Sequence, residues 1–374
     1  MVDSGMTENA NSREGWFSDC FFILPITGLD NASDLCQCIE ETAMIGGDDM
    51  DIRKNITDMV VAQIEAGTPP WRKAWSSNIS LPENAMTHKR YTGINVLILG
   101  MTGYQDPRFL TTKQANAMNL TIRKGEHAAA HIVKMVEVNR RDASNVGDGE
   151  VVSEDNDKML VMRSYPVFNA SQLEPGLEPL AKPQREVEPM AAAEAMVNGL
   201  KATGLKVVEG TVDASYSPRS DTIRIPAISS FHGTDPADLA ANFWGTMLHE
   251  AAHSTGHPSR LSRLFLDGSM TKEQRAYEEL VAEWSAAMGC AICGVKLGED
   301  HVRMHASYLS SWADVLKADK SAIFRAAAAA QRVCDYLSEH SLAPSKPMPV
   351  EVAAIAANEP AVQVAPARRQ ARPR

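Results

Sequence analysis

The sequence predicts an α+β protein built from two domains, and three observations carry that prediction. Residues 51–141 mix one amphipathic helical stretch with short apolar segments of strand length, and are basic, with thirteen Lys/Arg against seven Asp/Glu. A stretch over 172–188 containing Pro175, Pro179, Pro183 and several Glu reads as a linker. From residue 189 onward, long helical periods dominate and enclose two short β-branched runs. The expected organisation is an acidic leader over 1–50, a first domain over 51–171, the linker over 172–188, a second domain over 189–343 and a Pro/Ala/Arg-rich tail over 344–374.

In the first domain the period places Ile56, Met59, Val60 and Ile64 on one face of a helix from Ile52 to Ala66. Gly67 and the pair Pro69-Pro70 end it. A strand is expected over His131–Val136. A second, over Leu160–Tyr165, is expected to pair back across a polar, acidic insert from Asp142 to Lys158. In the second domain a helix is expected over Met190–Thr203. Strands follow at Lys206–Val208 and Thr222–Pro226, then helices over about 235–256, 271–293 and 321–338.

Composition narrows the function classes. The chain has 374 residues and is 44% hydrophobic, enough to bury proper cores. No apolar run reaches the ~18 residues of a membrane span. The apolar stretch Cys20–Pro25 is short and lacks the basic segment that precedes a signal peptide's apolar region. Scattered cysteines, with Cys290-x-x-Cys293 inside a helical run and no second pair, point to core packing in a reducing compartment. A cytoplasmic protein with no membrane partner is expected. The net charge of −10 is unevenly spread: residues 1–50 hold ten Asp/Glu against one Arg and are expected to be mostly disordered. The last seven residues carry four Arg. The basic first domain therefore calls for an anionic partner.

Within that domain, Trp71-Arg72-Lys73-Ala74-Trp75 interleaves indoles with cations, and Lys89-Arg90-Tyr91 repeats the mixture. Arg123-Lys124-Gly125 marks a basic turn. Aromatic faces stack on splayed bases and cations track phosphates, so Trp71, Arg72, Lys73, Trp75, Lys89, Arg90, Tyr91, Arg123 and Lys124 are candidate contacts for single-stranded DNA. The alternative for Trp71 and Trp75 is core packing behind the Pro-Pro turn. For the cations it is a solvated surface.

The second domain contains His249-Glu250-Ala251-Ala252-His253, an H-E-x-x-H motif. Asp235 is a suitable N-cap, Pro236 fits the first helical position, and Leu239, Phe243 and Met247 recur every four residues. Gly256 suits the far end. On this helix His249 and His253 share a face and can hold one zinc ion, with another divalent metal as the alternative. Glu250, about 100° round the helix, is the candidate general base toward a water whose pKa a zinc ion lowers to about 7. A longer form of the motif would place a third His at position 259, but Ser259 stands there. The third ligand is therefore assigned to the next helix as Glu279. Glu283, four residues on, is expected to hold a ligand His in one tautomer, and Glu278 is the alternative third ligand. Tyr216 and Tyr277 are candidates to steady an oxyanion.

The same residues resemble the ArdC antirestriction family. In family order, the resemblance runs through Ile64–Trp75, Tyr91–Asn95, Leu110–Ala115, Ile122–Glu126, Val167–Asn169, Asp221–Ile223, His249–Arg260 and Tyr277–Glu283. It continues through Tyr308, Trp312 and Asp319–Ala328, covering about residues 51–340. It implies an N-terminal single-stranded-DNA-binding domain and a C-terminal zincin-like metallopeptidase domain, carried by a plasmid or mobile element to protect incoming DNA from restriction. It implies His249, His253 and Glu279 as ligands and Glu250 as the catalytic Glu. Two alternatives stand beside it: protection by occluding DNA, with a structural or vestigial metal site, and an accessory role in priming, since similar N-terminal regions occur in conjugative primases.

Overall fold

The fold is taken from a computed structural model that describes residues 52–67, 69–71, 80–139, 149–150, 158–180, 188–267, 269–296 and 309–342. The leader and the tail lie outside the described residues.

The first module opens with helix α1 (Ile52–Glu65), which buries Ile56, Val60, Val61 and Ile64. Next come strand β1 (Glu83–Asn84), helix α2 (Ile94–Met101), strand β2 (Arg108–Leu110), helix α3 (Thr112–Ala117) and strand β3 (Thr121–Ile122). Strands β4 (Ala130–Asn139), β5 (Gly149–Glu150), β6 (Lys158–Asn169) and β7 (Leu173–Glu174) follow. The main sheet has the order β1-β2-β6-β4, with β5 also on β6. The expected hairpin is present but longer than expected: β4 and β6 pair antiparallel from Ala130 opposite Val167 to Asn139 opposite Lys158. The insert read as a loop contributes Gly149 and Glu150 to that sheet. On its other side, β4 meets Asn95. That side chain donates to the Val133 carbonyl at 2.8 Å and accepts from the Val133 N–H at 2.8 Å, so α2 satisfies both backbone groups of an edge residue.

The second module contains helix α4 (Pro189–Ala202), strands β8 (Lys206–Glu209), β9 (Ser215–Ser217) and β10 (Thr222–Ile225), and helices α5 (Pro236–Thr255), α6 (Lys272–Cys293), α7 (Leu309–Ala318) and α8 (Ala322–Glu339). Its sheet has the order β8-β10-β9, with β8 parallel and β9 antiparallel to β10. Local chemistry sets the long helices. Asp235 caps α5 by accepting from the N–H groups of Ala237 and Asp238, both at 2.9 Å. Thr271 and Gln274 form a capping box at the start of α6, and Gly294, at φ 82°, closes its end in the left-handed conformation. Cys290, Cys293 and Cys334 are free and buried, as expected of core residues. Among the described residues no helix is long and apolar enough to cross a membrane.

Three sequence expectations need correction. Trp71 is not an exposed stacking platform: it is fully buried. Its ring stacks on Trp284 of α6 at 6.2 Å between centroids and meets Trp312 of α7 edge-on at 5.5 Å. The pattern Pro-Pro-Trp could not distinguish a base platform from a core anchor, because the partners lie more than 200 residues away in sequence. Second, the linker does not begin at 172. Gln172 and Leu173 are buried and Leu173 pairs with Ile122, so the first module runs on through β7. Third, the modules are not separated by that stretch into independent bodies. One apolar core runs from α1 and α2 into α6, α7 and α8. The Thr57 hydroxyl donates to the Lys320 carbonyl at 2.8 Å, and the Gly93 N–H donates to the Gln331 side chain at 3.2 Å.

Candidate metal centre

Helix α5 presents His249 and His253 one turn apart, with ring centroids 4.8 Å from each other. Helix α6 packs against α5 and brings Glu279 between the two rings. Its Oε2 lies 3.4 Å from His249 Nε2 and 3.6 Å from His253 Nε2. One ligand atom from each of the three residues lies within 4.8 Å of the others, the convergence a metal ion requires. Two imidazoles and a carboxylate suit zinc and related divalent ions.

The outer nitrogens test that fit. His249 Nδ1 lies 3.5 Å from Glu283 Oε2, and His253 Nδ1 lies 3.3 Å from Glu278 Oε1. Each carboxylate favours a proton on Nδ1, which leaves Nε2 free to bind a metal. Glu283 stands where the sequence expectation put it. Glu278, the alternative third ligand, instead stands at the outer nitrogen of the second histidine. It is itself gripped by Arg263, whose Nε and Nη2 donate to it at 3.1 and 2.9 Å. Arg263 also donates to the Ala252 carbonyl at 2.9 Å and to the Thr255 hydroxyl at 3.0 Å, tying the end of α5 to α6. Neither role was read from the sequence. The signal for Glu278 was its place beside Glu279; Arg263 carried none.

The charges of the cluster bear on one another. Burial opposes protonation of His249, yet the hydrogen bonds to Glu279 and Glu283 push it up to about 9. The same contest, with Glu278 and Glu279, takes His253 up to about 10. Burial would raise Glu279, but the two histidines hold its carboxyl far below the usual range.

The centre opens into a cleft of about 490 Å³. Glu250, buried in its helix, lines the same cleft as the triad. It is lined by Asp213–Tyr216 and Pro218, at and beside β9, and by Leu264, Phe265, Met270 and residues at the start of α6. Among the described residues the metal-ligand group is these three side chains, so no fourth protein ligand closes it. The two tyrosines proposed for an oxyanion are not offered to it. The Tyr216 hydroxyl donates to Asp221 at 2.8 Å, and Asp221 is bound by the buried Arg260. Burial, and then Asp221, raise Tyr216 well above its ordinary range. Tyr277 is absent from the cleft lining.

The candidate DNA contacts divide. Lys89, Arg90 and Lys124 are exposed. Arg123 is exposed but paired with Glu126 at 2.7 Å. Tyr91 is half-buried; its hydroxyl accepts from Asn84 at 3.2 Å and donates to the Phe109 carbonyl at 3.4 Å. Arg72, Lys73 and Trp75 lie outside the described residues.

Comparison with known proteins agrees with this geometry. Residues 50–168 match the N-terminal domain of the anti-restriction factor ArdC, and residues 191–329 match a zincin-like metallopeptidase domain. Crystal structures of the antirestriction protein ArdC from plasmid R388 share 33% identity and cover 78% of this chain and 98% of that one. The TM-score is 0.60 for the metal-free form and 0.59 for the Mn(II)-bound form. The protein y4eC of Sinorhizobium fredii is 31% identical over 294 residues, 77% of this chain and 91% of the relative. The DNA primase TraC of Escherichia coli is 35% identical over 298 residues. That alignment takes in 76% of this chain but 27% of the primase, so the chain spans about a quarter of TraC.

Proposed function

The chain belongs to the ArdC family of antirestriction proteins, and from that premise we propose that it protects incoming DNA from restriction in the cytoplasm. In this reading the first module binds single-stranded DNA and the second carries a zinc-dependent peptidase site acting on a protein substrate. The observation that supports the catalytic part is the His249–His253–Glu279 cluster at an open cleft, with Glu250 on the same lining. A structural metal site would be closed by a fourth protein ligand.

His249, His253 and Glu279 would hold the ion, with manganese, as in the R388 relative, as the alternative. A bound ion supplies Lewis acidity toward a carbonyl and lowers the pKa of water. Glu278 and Glu283 would hold the proton of each imidazole at Nδ1, so that Nε2 faces the ion and the ring is fixed in orientation. Glu250 takes the proton of the attacking water and returns it to the leaving amine. Strand β9 ends its sheet and lines the cleft, so an extended substrate segment can lie beside it and use its free backbone groups. Exposed Lys89, Arg90 and Lys124 are the candidate cations that would track phosphates. The relation to TraC favours an accessory role in priming as a second reading. Two histidines and one glutamate do not resemble the carboxylate clusters of two-metal sites, which weighs against nucleotidyl chemistry here.

The experiment is Glu250→Gln in the full chain. Metal content and single-stranded-DNA affinity are expected to stay, and peptide cleavage to be lost. Restriction protection in cells then separates the accounts. Lost protection with intact DNA affinity supports proteolysis; full protection sinks it in favour of occlusion.

A further inference from the structure

Arg260, Arg263 and Arg275 lie on or just beyond the helices that build the cleft, and two of them are spent on structure. Arg260 is buried on Asp221, and Arg263 holds Glu278. The third, Arg275, is exposed and lines the cleft. Its backbone N–H belongs to the capped first turns of α6, and its guanidinium has no hydrogen-bond or ion-pair partner among the described residues. It precedes Glu279 by four residues, so it lies on the same face of α6, one turn farther from the centre of the helix. The N-terminal end of this 22-residue helix adds to its positive field.

Phe265 and Met270 line the same cleft. Phe265 is 55% exposed, an aromatic ring standing on the lip of a cleft rather than in a core. Covering it with an apolar group removes both surfaces from water. Of the cleft's acidic groups, Glu279 faces the two histidines, Glu278 is matched by Arg263, Glu250 is buried in α5, and Asp213 stands beside β9. The lining therefore offers a guanidinium unpaired among the described residues and an exposed aromatic ring.

Resting on the peptidase reading above, we propose that Arg275 and Phe265 set substrate choice: the cleft takes peptide segments in which a bulky apolar residue stands next to an aspartate or glutamate. A guanidinium recognises a carboxylate through paired, charge-assisted hydrogen bonds, and a lysine in that position of the peptide would be repelled.

The test uses the full chain, metal-loaded and carrying Glu250→Gln so that peptides persist. Labelled peptides with a central Leu-Asp or Leu-Lys are titrated by fluorescence anisotropy. The Leu-Asp peptide is expected to bind about tenfold tighter, the scale of one charge-assisted pair. Arg275→Glu is expected to invert the order, Arg275→Gln to erase it, and Phe265→Ala to weaken both peptides alike. Equal affinities for the two peptides, or a preference unchanged in both Arg275 variants, overturn the inference. The same peptides are incubated with the chain whose Glu250 is intact. Selective binding without cleavage sinks the peptidase reading and leaves the specificity standing. Cleavage indifferent to charge sinks the specificity alone, and binding of neither peptide sinks both.

Discussion

Two neighbouring residues of α6, Glu283 and Trp284, belong to two different constructions. Glu283 serves the metal cleft through His249, while Trp284 serves the joint between modules through Trp71. The cleft is made of spacings: four residues from His249 to His253, and four from Glu279 to Glu283. The joint is made of contacts between residues far apart in sequence, on α1, α6 and α7 and at Trp71. The contrast teaches that one helix can carry a legible site on one face and an illegible interface on the other.

The largest effect is expected at the joint. Trp71→Ala leaves a cavity between Trp284 and Trp312 and should cost about 3–5 kcal/mol of stability, the range for truncating a buried aromatic residue. Because the core is shared, the loss should appear in the unfolding of the second module as well. Urea denaturation, followed by circular dichroism and by a probe on α8, reads both. A drop of less than about 1 kcal/mol, or a transition confined to the first module, would break the comparison by showing two separable cores. For the same reason a fragment cut at residue 171 lacks the pairing of Leu173 with Ile122 and bares the Trp71 face. DNA binding is therefore best measured on the full chain.

The next effect belongs to the cleft. Glu279→Gln removes a ligand and should abolish tight metal binding. Glu278→Gln removes only the group that orients His253, and should lower metal affinity about 10–100-fold while leaving the ion bound at saturation. Arg263→Ala should act in the same direction by releasing Glu278. Competition against a chelator measures all three. If Glu278→Gln binds metal as tightly as the parent, His253 is oriented by packing and not by that carboxylate.

What could be read from the sequence follows the same division. Helix α5, its Asp235 cap, the two histidines, Glu279 and Glu283 were all accessible, because each depends on capping chemistry or on the helical period. The β4–β6 hairpin was accessible in position but short in length, since polar residues at its far end, such as Asn139 and Lys158, pair beyond the apolar pattern. Trp71 was ambiguous because an aromatic residue among cations suits a base or a core equally well. Glu278 and Arg263 were missed for a different reason. Residues that orient a ligand need no fixed spacing from it, only closeness after α5 and α6 have packed.

The smallest effect concerns the cleft's outer wall, where Asp221 links Tyr216 beside the cleft to Arg260, which in turn donates to the Ser254 carbonyl at 2.7 Å. Burial would raise the Asp221 carboxyl, but the hydrogen bonds from Arg260 and Tyr216 outweigh it and hold the group below its ordinary value. A carboxylate held low contributes stability that is present above its unfolded value of about 3.9 and is lost as pH falls through the depressed one. The parent should therefore lose this contribution only in acid, below about pH 4. Asp221→Asn lacks it at every higher pH, so the difference in stability between the two proteins should be constant near neutrality and shrink as pH falls. Only one carboxylate among many is changed, and the shift in acid midpoint will be small. A difference that instead grows toward low pH would mean that Asp221 is not the anchor of this wall, and that β9 is held to α5 by packing alone.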